Sequence, residues 1–169
     1  MPRTFSQALG FLLGFWIALW LSPFRASGEP AYASAPYAAL ESALHRDVNA
    51  VRAQHHLIPL HRLPELDAVA RAHSLDMVRR GFFAHESPEG ANPVNRLHDH
   101  QIEGFTLAAE NLGRTNQSDP NREILSGWLQ SAVHRNNLYA PPFNATGIGI
   151  ARGPDGSLIY TQLYVTYPR

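Results

Sequence analysis

The C-terminal segment of the chain carries the pattern that most restricts its fold. Two sets of side chains alternate along 157–167, with Ile159, Thr161, Leu163 and Val165 forming one of them. A period of two is typical of a β-strand, because successive side chains point to opposite faces. The segment 146–153 has the composition of a partner strand, and the "PDG" between the two segments is a turn signal. The sequence therefore predicts a β-hairpin at this end.

Upstream of the hairpin, apolar side chains recur at the helical spacing of three to four residues. This spacing predicts a first helix from Tyr37 to about Gln54. A second helix is predicted from Pro64 to Arg80, because proline is favoured in a first turn and Gly81 suits a C-terminal cap. The prolines between the two helices interrupt the helical pattern.

Three further segments complete the predicted organisation. The segment 92–101 predicts a short helix opened by Asn92, 105–114 predicts a strand, and 119–139 predicts a single helix capped by Asp119. Helices come first and strands come later, which favours an α+β fold with helices packed against an antiparallel sheet.

Composition narrows the possible functions. The chain has no cysteine, which excludes disulfides, thiolate catalysis and cysteine metal sites. It has 14 basic and 14 acidic residues, so no strong field favours nucleic acid and we expect no nucleic-acid partner. It has 9 histidines, all of them after residue 44, which makes histidine chemistry worth testing.

The N-terminal segment is typical of an export signal. Arg3 precedes an apolar run at 8–21, which is shorter than the roughly 20 residues of a membrane span. We therefore expect a signal peptide or uncleaved N-terminal anchor at 1–33, a linker at 34–38 and a folded domain at 39–169. Either form of the segment places the domain outside the cytoplasm, as a secreted, periplasmic or cell-surface protein. Only an uncleaved segment would contact the membrane.

Most of the histidines have an ordinary structural interpretation. His73 lies on the apolar stripe of the second predicted helix, where a histidine is usually a core residue bonded to backbone or to an acid. The pairs at 55–56 and 98–100 are surface residues by default. The first pair points in two directions at a helix end, and the second, an H-x-H pair, diverges on a helix. His85, Glu110 and His134 remain, but they are too far apart in sequence for periodicity to relate them.

Four fragments occur in a fixed order: "FFAHESPEG", "AAENLG", "GWLQSAVHRNNLY" and "YTQLYV". Together they resemble the CAP superfamily, also called SCP-like, which contains cysteine-rich secretory proteins, antigen 5 and plant pathogenesis-related proteins. The resemblance is strongest to the exported bacterial branch and covers about 40–167. It implies an α-β-α sandwich in which a three-stranded antiparallel sheet lies between helices.

The resemblance also implies a central cleft lined by two histidines and two acids. His85 matches the first histidine, Glu110 the first acid and His134 the second histidine. The second acid is expected three residues after the helix tryptophan, Trp128, and this chain has Ser131 at that position. The chain therefore keeps three of the four cleft residues.

The trio of His85, Glu110 and His134 has a donor set that suits a metal. Two neutral imidazoles and one carboxylate can hold Zn²⁺, or another divalent metal, with a fourth position open for water. Such a site resembles a hydrolytic one. The same trio could instead form a buried hydrogen-bond network that joins loop, strand and helix, because a carboxylate attracts both imidazoles.

The missing acid leaves the general base of a hydrolytic site unassigned. Ser131 has no useful pKa for that role. Glu86 would point away from His85 in an extended chain. Glu123 would lie about 16 Å before His134 along a continuous helix, too far to share one metal.

Four residues are expected to support the cleft rather than to form it. His73 and Trp128 are predicted core residues, Asn111 is expected to bond backbone or a turn, and Arg135 is expected to form an ion pair. Three functions remain open. The chain could be a binding module for a lipid, a cell-envelope component or a protein, a metal-dependent hydrolase of the peptidase kind, or an extracellular scaffold.

Overall fold

The computed structural model describes residues 36–168, which form an α+β fold. The expected signal peptide or anchor at 1–33 lies outside the described residues, as do residues 34 and 35 of the predicted linker. The described helices are α1 (Ala38–Gln54), α2 (Pro64–Arg80), α3 (Pro93–Asp99), α4 (Pro120–Gln130) and α5 (Ala132–Tyr139). The strands are β1 (His61–Arg62), β2 (Leu107–Thr115), β3 (Ala145–Arg152) and β4 (Leu158–Thr166).

The strands form one sheet in the order β1-β3-β4-β2. Strand β4 pairs with β2 and β3 in antiparallel directions, while β1 pairs with β3 in parallel. The prediction of a three-stranded antiparallel sheet was therefore wrong in one respect, since the sheet is mixed and has a fourth strand. Strand β1 is only two residues long, which is too short for an alternating pattern to be read from sequence.

Helix α2 packs directly on one face of the sheet. A Cβ atom at Gly147 would lie 2.1 Å from the carbonyl carbon of Leu66, and one at Gly149 would lie 2.0 Å from the backbone nitrogen of Arg71. Real side chains cannot approach so closely, so these two glycines of β3 allow the helix to approach the sheet backbone. The intervening Ile148 belongs to a separate core cluster with α1, α4 and α5. The sheet consequently lies between two helical layers.

The predicted helix over 119–139 is two helices. Asp119 accepts a hydrogen bond from the backbone of Arg122, as expected of an N-cap, but Ser131 has extended backbone angles (φ −87°, ψ 121°). The guanidinium of Arg135 donates to the carbonyl of Leu129 at 2.8 Å. It thereby satisfies a carbonyl that a continuous helix would bond through its own backbone.

Candidate functional site

The loop that carries His85 is fixed at both ends and in the middle. Helix α2 ends at Gly81, whose φ of 70° is the left-handed conformation that glycine adopts readily. Helix α3 begins with a capping box between Asn92 and Asn95. From α3, Arg96 donates to the carbonyl of His85 and to the carbonyl of Ala91, each at 2.9 Å. Arg96 therefore holds the backbone around His85 in place.

Glu110 on β2 connects this loop to the sheet. Its side chain is only 1% exposed, yet both carboxylate oxygens have partners. Oε1 lies 2.9 Å from Nδ1 of His85, and Oε2 accepts from the guanidinium of Arg96 at 2.5 Å. The charge of the buried carboxylate is thus balanced by Arg96, while its other oxygen orients an imidazole that is 50% exposed.

His73 lies behind this pair in the core, at 2% exposure. Its Nε2 is 3.1 Å from the carbonyl of Ala84 and 3.8 Å from Oε1 of Glu110. A carbonyl only accepts, so we assign the proton of the neutral ring to Nε2. Burial lowers the pKa of His73, and the carboxylate of Glu110 opposes that shift. His73 is therefore a neutral donor that ties α2 to the loop preceding His85.

His134 supplies the second imidazole from α5. Burial lowers its pKa, and the nearby His85 lowers it further. The neutral ring is the form that binds metals. Its ring nitrogens form no hydrogen bond with any residue in the range 36–168, whereas its backbone carbonyl accepts from Asn111 at 3.1 Å. His134 is thus positioned through its backbone and keeps its side chain available.

Asn111 is fully buried and organises the base of α5. Besides bonding the carbonyl of His134, its amide donates to the hydroxyl of Tyr164 at 3.2 Å and its oxygen accepts from Asn137 at 2.8 Å. Asn137 also donates to the backbone carbonyl of Glu110 at 3.3 Å. These bonds link the helix that carries His134 to the strand that carries Glu110.

Sequence comparison assigns the family. The model of the cysteine-rich secretory protein family, CAP, matches residues 45–164. The chain belongs to the CAP family. It does so without the cysteines of the family's name, since it contains none.

Among curated proteins, the chain is similar to the uncharacterized protein YkwD of Bacillus subtilis (strain 168), with 32% identity over 117 residues. It is also 29% identical over 117 residues to the uncharacterized membrane protein YlbC of the same organism. These alignments cover 69% of this chain but only 43% and 32% of the two relatives. The chain therefore spans less than half the length of either relative.

Among solved structures, one similar protein is an extracellular protein containing a SCP domain from Bacillus anthracis str. Ames. It is 31% identical, has a TM-score of 0.66, and the match covers 76% of this chain and 40% of that one. An outer surface protein of Borrelia burgdorferi has a TM-score of 0.68 at 20% identity, covering 75% of this chain and 92% of that one. At that identity the likeness shows the fold alone.

The supporting residues of this CAP domain differ in part from the sequence prediction. Trp128 is buried and its indole nitrogen donates to the carbonyl of Leu112 at 2.7 Å, which fastens α4 to β2. The ion pair expected for Arg135 does not form with any described residue. Its guanidinium bonds the Leu129 carbonyl instead, because the break at Ser131 leaves that carbonyl without a helical partner.

The three-ligand metal site suggested by the resemblance is not assembled in the described part of the chain. No group of three or more histidine and acidic side chains is arranged there to hold a metal ion. Both oxygens of Glu110 instead bond His85 and Arg96. The imidazoles of His85 and His134 interact, since His85 contributes to the lowered pKa of His134. A carboxylate bonded to an imidazole, as Glu110 is to His85, is the arrangement that commonly orients a metal-binding histidine.

Sequence reasoning missed Arg96 entirely. The only signal was its place four residues after the N-cap Asn92, inside the short helix predicted over 92–101. Its contacts depend on the path of the loop at 81–92, which no periodicity describes. The remaining acid considered for the cleft, Glu86, is exposed. No helix within residues 36–168 combines the length and the apolar character needed to cross a membrane.

Proposed function

We propose that this CAP domain is an exported binding module whose cleft presents the imidazoles of His85 and His134 to a divalent metal, most suitably Zn²⁺, and to a surface ligand. The observation that supports the proposal best is the 2.9 Å contact between Nδ1 of His85 and the buried carboxylate of Glu110. This contact fixes the half-exposed ring through Nδ1 and leaves Nε2 for a ligand.

The balance of charge in the site favours binding by the histidines. Arg96 neutralises the carboxylate of Glu110, so the acid orients His85 without adding a free negative charge to the cleft. The lowered pKa of His134 keeps its ring neutral, as a metal ligand must be. A bound Zn²⁺ would supply a Lewis acid that accepts an oxygen or nitrogen of the ligand.

Hydrolysis receives less support from the same geometry. Both oxygens of Glu110 are engaged and Ser131 replaces the second acid, so neither of the two acid positions implied by the family resemblance offers a free carboxylate. The proposed location is outside the cytoplasm. It is supported by the apolar run at 8–21 and by the similarity to a protein described as extracellular.

Calorimetric titration with ZnCl₂ tests the proposal on the purified full chain, kept in solution with a mild non-ionic detergent. We expect one Zn²⁺ per chain, with affinity reduced at least tenfold in both His85→Ala and His134→Ala. His98→Ala is the matched control, because His98 is also half-exposed and also bonds a glutamate, Glu103, but lies away from the cleft. Binding that survives both cleft substitutions would refute the proposed site.

A further inference from the structure

A recess that His85 does not line opens beside His134. It has a volume of about 270 Å³ and lies between β2 and the break that separates α4 from α5. The lining residues that matter here are Gly113, Arg114, Glu123, Gly127, Ser131 and His134. Neither Glu110 nor His85 lines it. The break at Ser131 puts Glu123 and His134 on the wall of the same recess, which the predicted continuous helix did not suggest.

Three polar side chains of this recess have no partner in the described protein. The carboxylate of Glu123, the hydroxyl of Ser131 and the ring of His134 form no hydrogen bond or ion pair with any residue from 36 to 168. Each of these groups can accept a hydrogen bond. Glu123 lies in the first turn of α4, where an acid favours the helix dipole, but that role does not explain the open space next to it.

One residue that lines the recess, Gly127, is a glycine that packing does not require. Gly127 lies inside α4, where glycine is the poorest helix former apart from proline. A Cβ atom built at this position would meet no atom within 4 Å. On the opposite wall, a Cβ at Gly113 would lie 2.5 Å from Cδ1 of Ile124. Gly113 is therefore needed for packing, whereas a side chain at 127 would only enter the recess.

The charges in the recess do not cancel. The guanidinium of Arg114 is occupied, because it donates to Asp155 at 2.7 Å and to Ser157 at 3.1 Å. Glu123 has no such partner among residues 36–168, which leaves one uncompensated negative charge on the wall. We propose that this recess binds a primary ammonium group of the ligand, through Glu123 and Ser131, with the lone pair of His134 as the third acceptor wherever Zn²⁺ does not occupy it. An ammonium group carries three donors, the same number as these acceptors.

This inference deepens the proposed function. It rests on that function because it assumes that the ligand of the cleft also reaches His134. It predicts that the natural ligand carries an amine on the side that extends along α4 from the cleft. The ammonium site does not require the metal, because His85 does not contribute to it. Titrations in the presence of EDTA therefore separate the two proposals.

The test uses the full chain with Trp16→Phe and Trp20→Phe, in which Trp128 is the only tryptophan. Trp128 lines the recess, so the NMR resonance of its indole N–H reports on occupancy. Titration with n-butylammonium in EDTA should shift this resonance saturably, with a Kd of about a millimolar for so small a probe. n-Butanol and n-butyrate should not do so. A shift by butanol with equal affinity would show an alkyl site and overturn the proposal.

Two substitutions test the chemistry of the recess. Glu123→Gln should weaken butylammonium binding at least tenfold, while Glu65→Gln, which changes an exposed first-turn glutamate of α2, should leave it unchanged. Gly127→Ala should raise the Tm and still weaken binding tenfold or more, because alanine favours the helix but enters the recess. Unchanged binding in either recess variant would overturn the proposal. His85→Ala should retain ammonium binding even where it abolishes Zn²⁺ binding.

Discussion

Two buried glutamates among residues 36–168 are paired with arginine, but only one of these two also bonds a half-exposed side chain. Glu41 of α1 bonds Arg62 at 2.9 Å and also Arg71, and Asp67 joins the same cluster. The side chains of Arg62 and Arg71 are 8% and 24% exposed, well below the 50% of His85. Every member of this cluster therefore bonds another member within the fold, and together they fasten α1, β1 and α2 to one another.

Glu110 has the same burial and a similar arginine, but its second partner differs. One oxygen bonds Arg96, and the other bonds an imidazole that is half exposed. The buried charge thus acts on a group that a ligand can reach. Burial and pairing alone do not separate a structural ion pair from a functional one. The exposure of the final partner does.

The largest effect on stability is expected for Glu41→Gln. The substitution removes one of the two carboxylates that bond Arg62 and Arg71 in this cluster, and removing one partner of a buried pair costs about 3 kcal/mol. We expect that loss in the free energy of unfolding measured with urea. Glu103→Gln is the control. Its partner His98 is exposed, and an exposed ion pair contributes only about a few tenths of a kcal/mol to stability. The folded Glu41→Gln variant should bind Zn²⁺ as the parent does.

Arg96→Met should affect both stability and the site. It leaves Glu110 with His85 as its remaining close partner and removes the donor to the carbonyls of His85 and Ala91, at a cost of about 2 kcal/mol. Because the backbone around His85 is then less restrained, the Zn²⁺ affinity should fall about tenfold. Urea unfolding and calorimetry measure the two effects. If stability falls and metal affinity does not, Arg96 serves only the fold and the distinction between the two clusters fails.

The elements with local signals were predictable from sequence, whereas those fixed by distant contacts were not. Helix α2 begins at Pro64 and ends before Gly81 as predicted, because proline and glycine act within one turn. The break at Ser131 escaped prediction because apolar spacing continues through it. Its stabilising bonds run from Trp128 to Leu112 on another element and from Arg135 to a freed carbonyl.

The same limit applies to the site. The family pattern indicated which side chains are expected in the cleft. It did not indicate which of their atoms form hydrogen bonds with other residues of the protein. The metal role of Glu110 stays a prediction, and the bonds from its two oxygens to His85 and Arg96 were not predictable from the pattern. Arg96 and Glu123 were not assigned to the cleft because their placement follows from a loop path and a helix break.

A pH-dependent loss of stability should arise at His73, the buried histidine that lies 3.8 Å from Glu110. Burial lowers the pKa of His73 in the folded state, with Glu110 opposing that shift and Arg96 adding to it. The unfolded chain therefore takes up a proton first as pH falls below about 6.5, so unfolding becomes more favourable, by at most about 1.4 kcal/mol per pH unit. His73→Gln keeps a donor for Ala84 but does not titrate. Urea unfolding between pH 7 and 5 should show a shallower slope for this variant, and an unchanged slope would assign the effect elsewhere.

The smallest effect on stability is expected for His85→Ala, which changes the half-exposed partner of Glu110. Half of this side chain is already in water, so removing it should change the free energy of unfolding by less than about 1 kcal/mol in metal-free buffer. The effect of Zn²⁺ should nevertheless be lost, because a ligand at 100 times its Kd stabilises the folded state by about 2.7 kcal/mol only where its site exists. Urea unfolding with and without Zn²⁺ measures both quantities on one sample. A large metal-free loss would place His85 with the structural cluster of Glu41, whereas a small one together with the lost Zn²⁺ effect assigns it to binding.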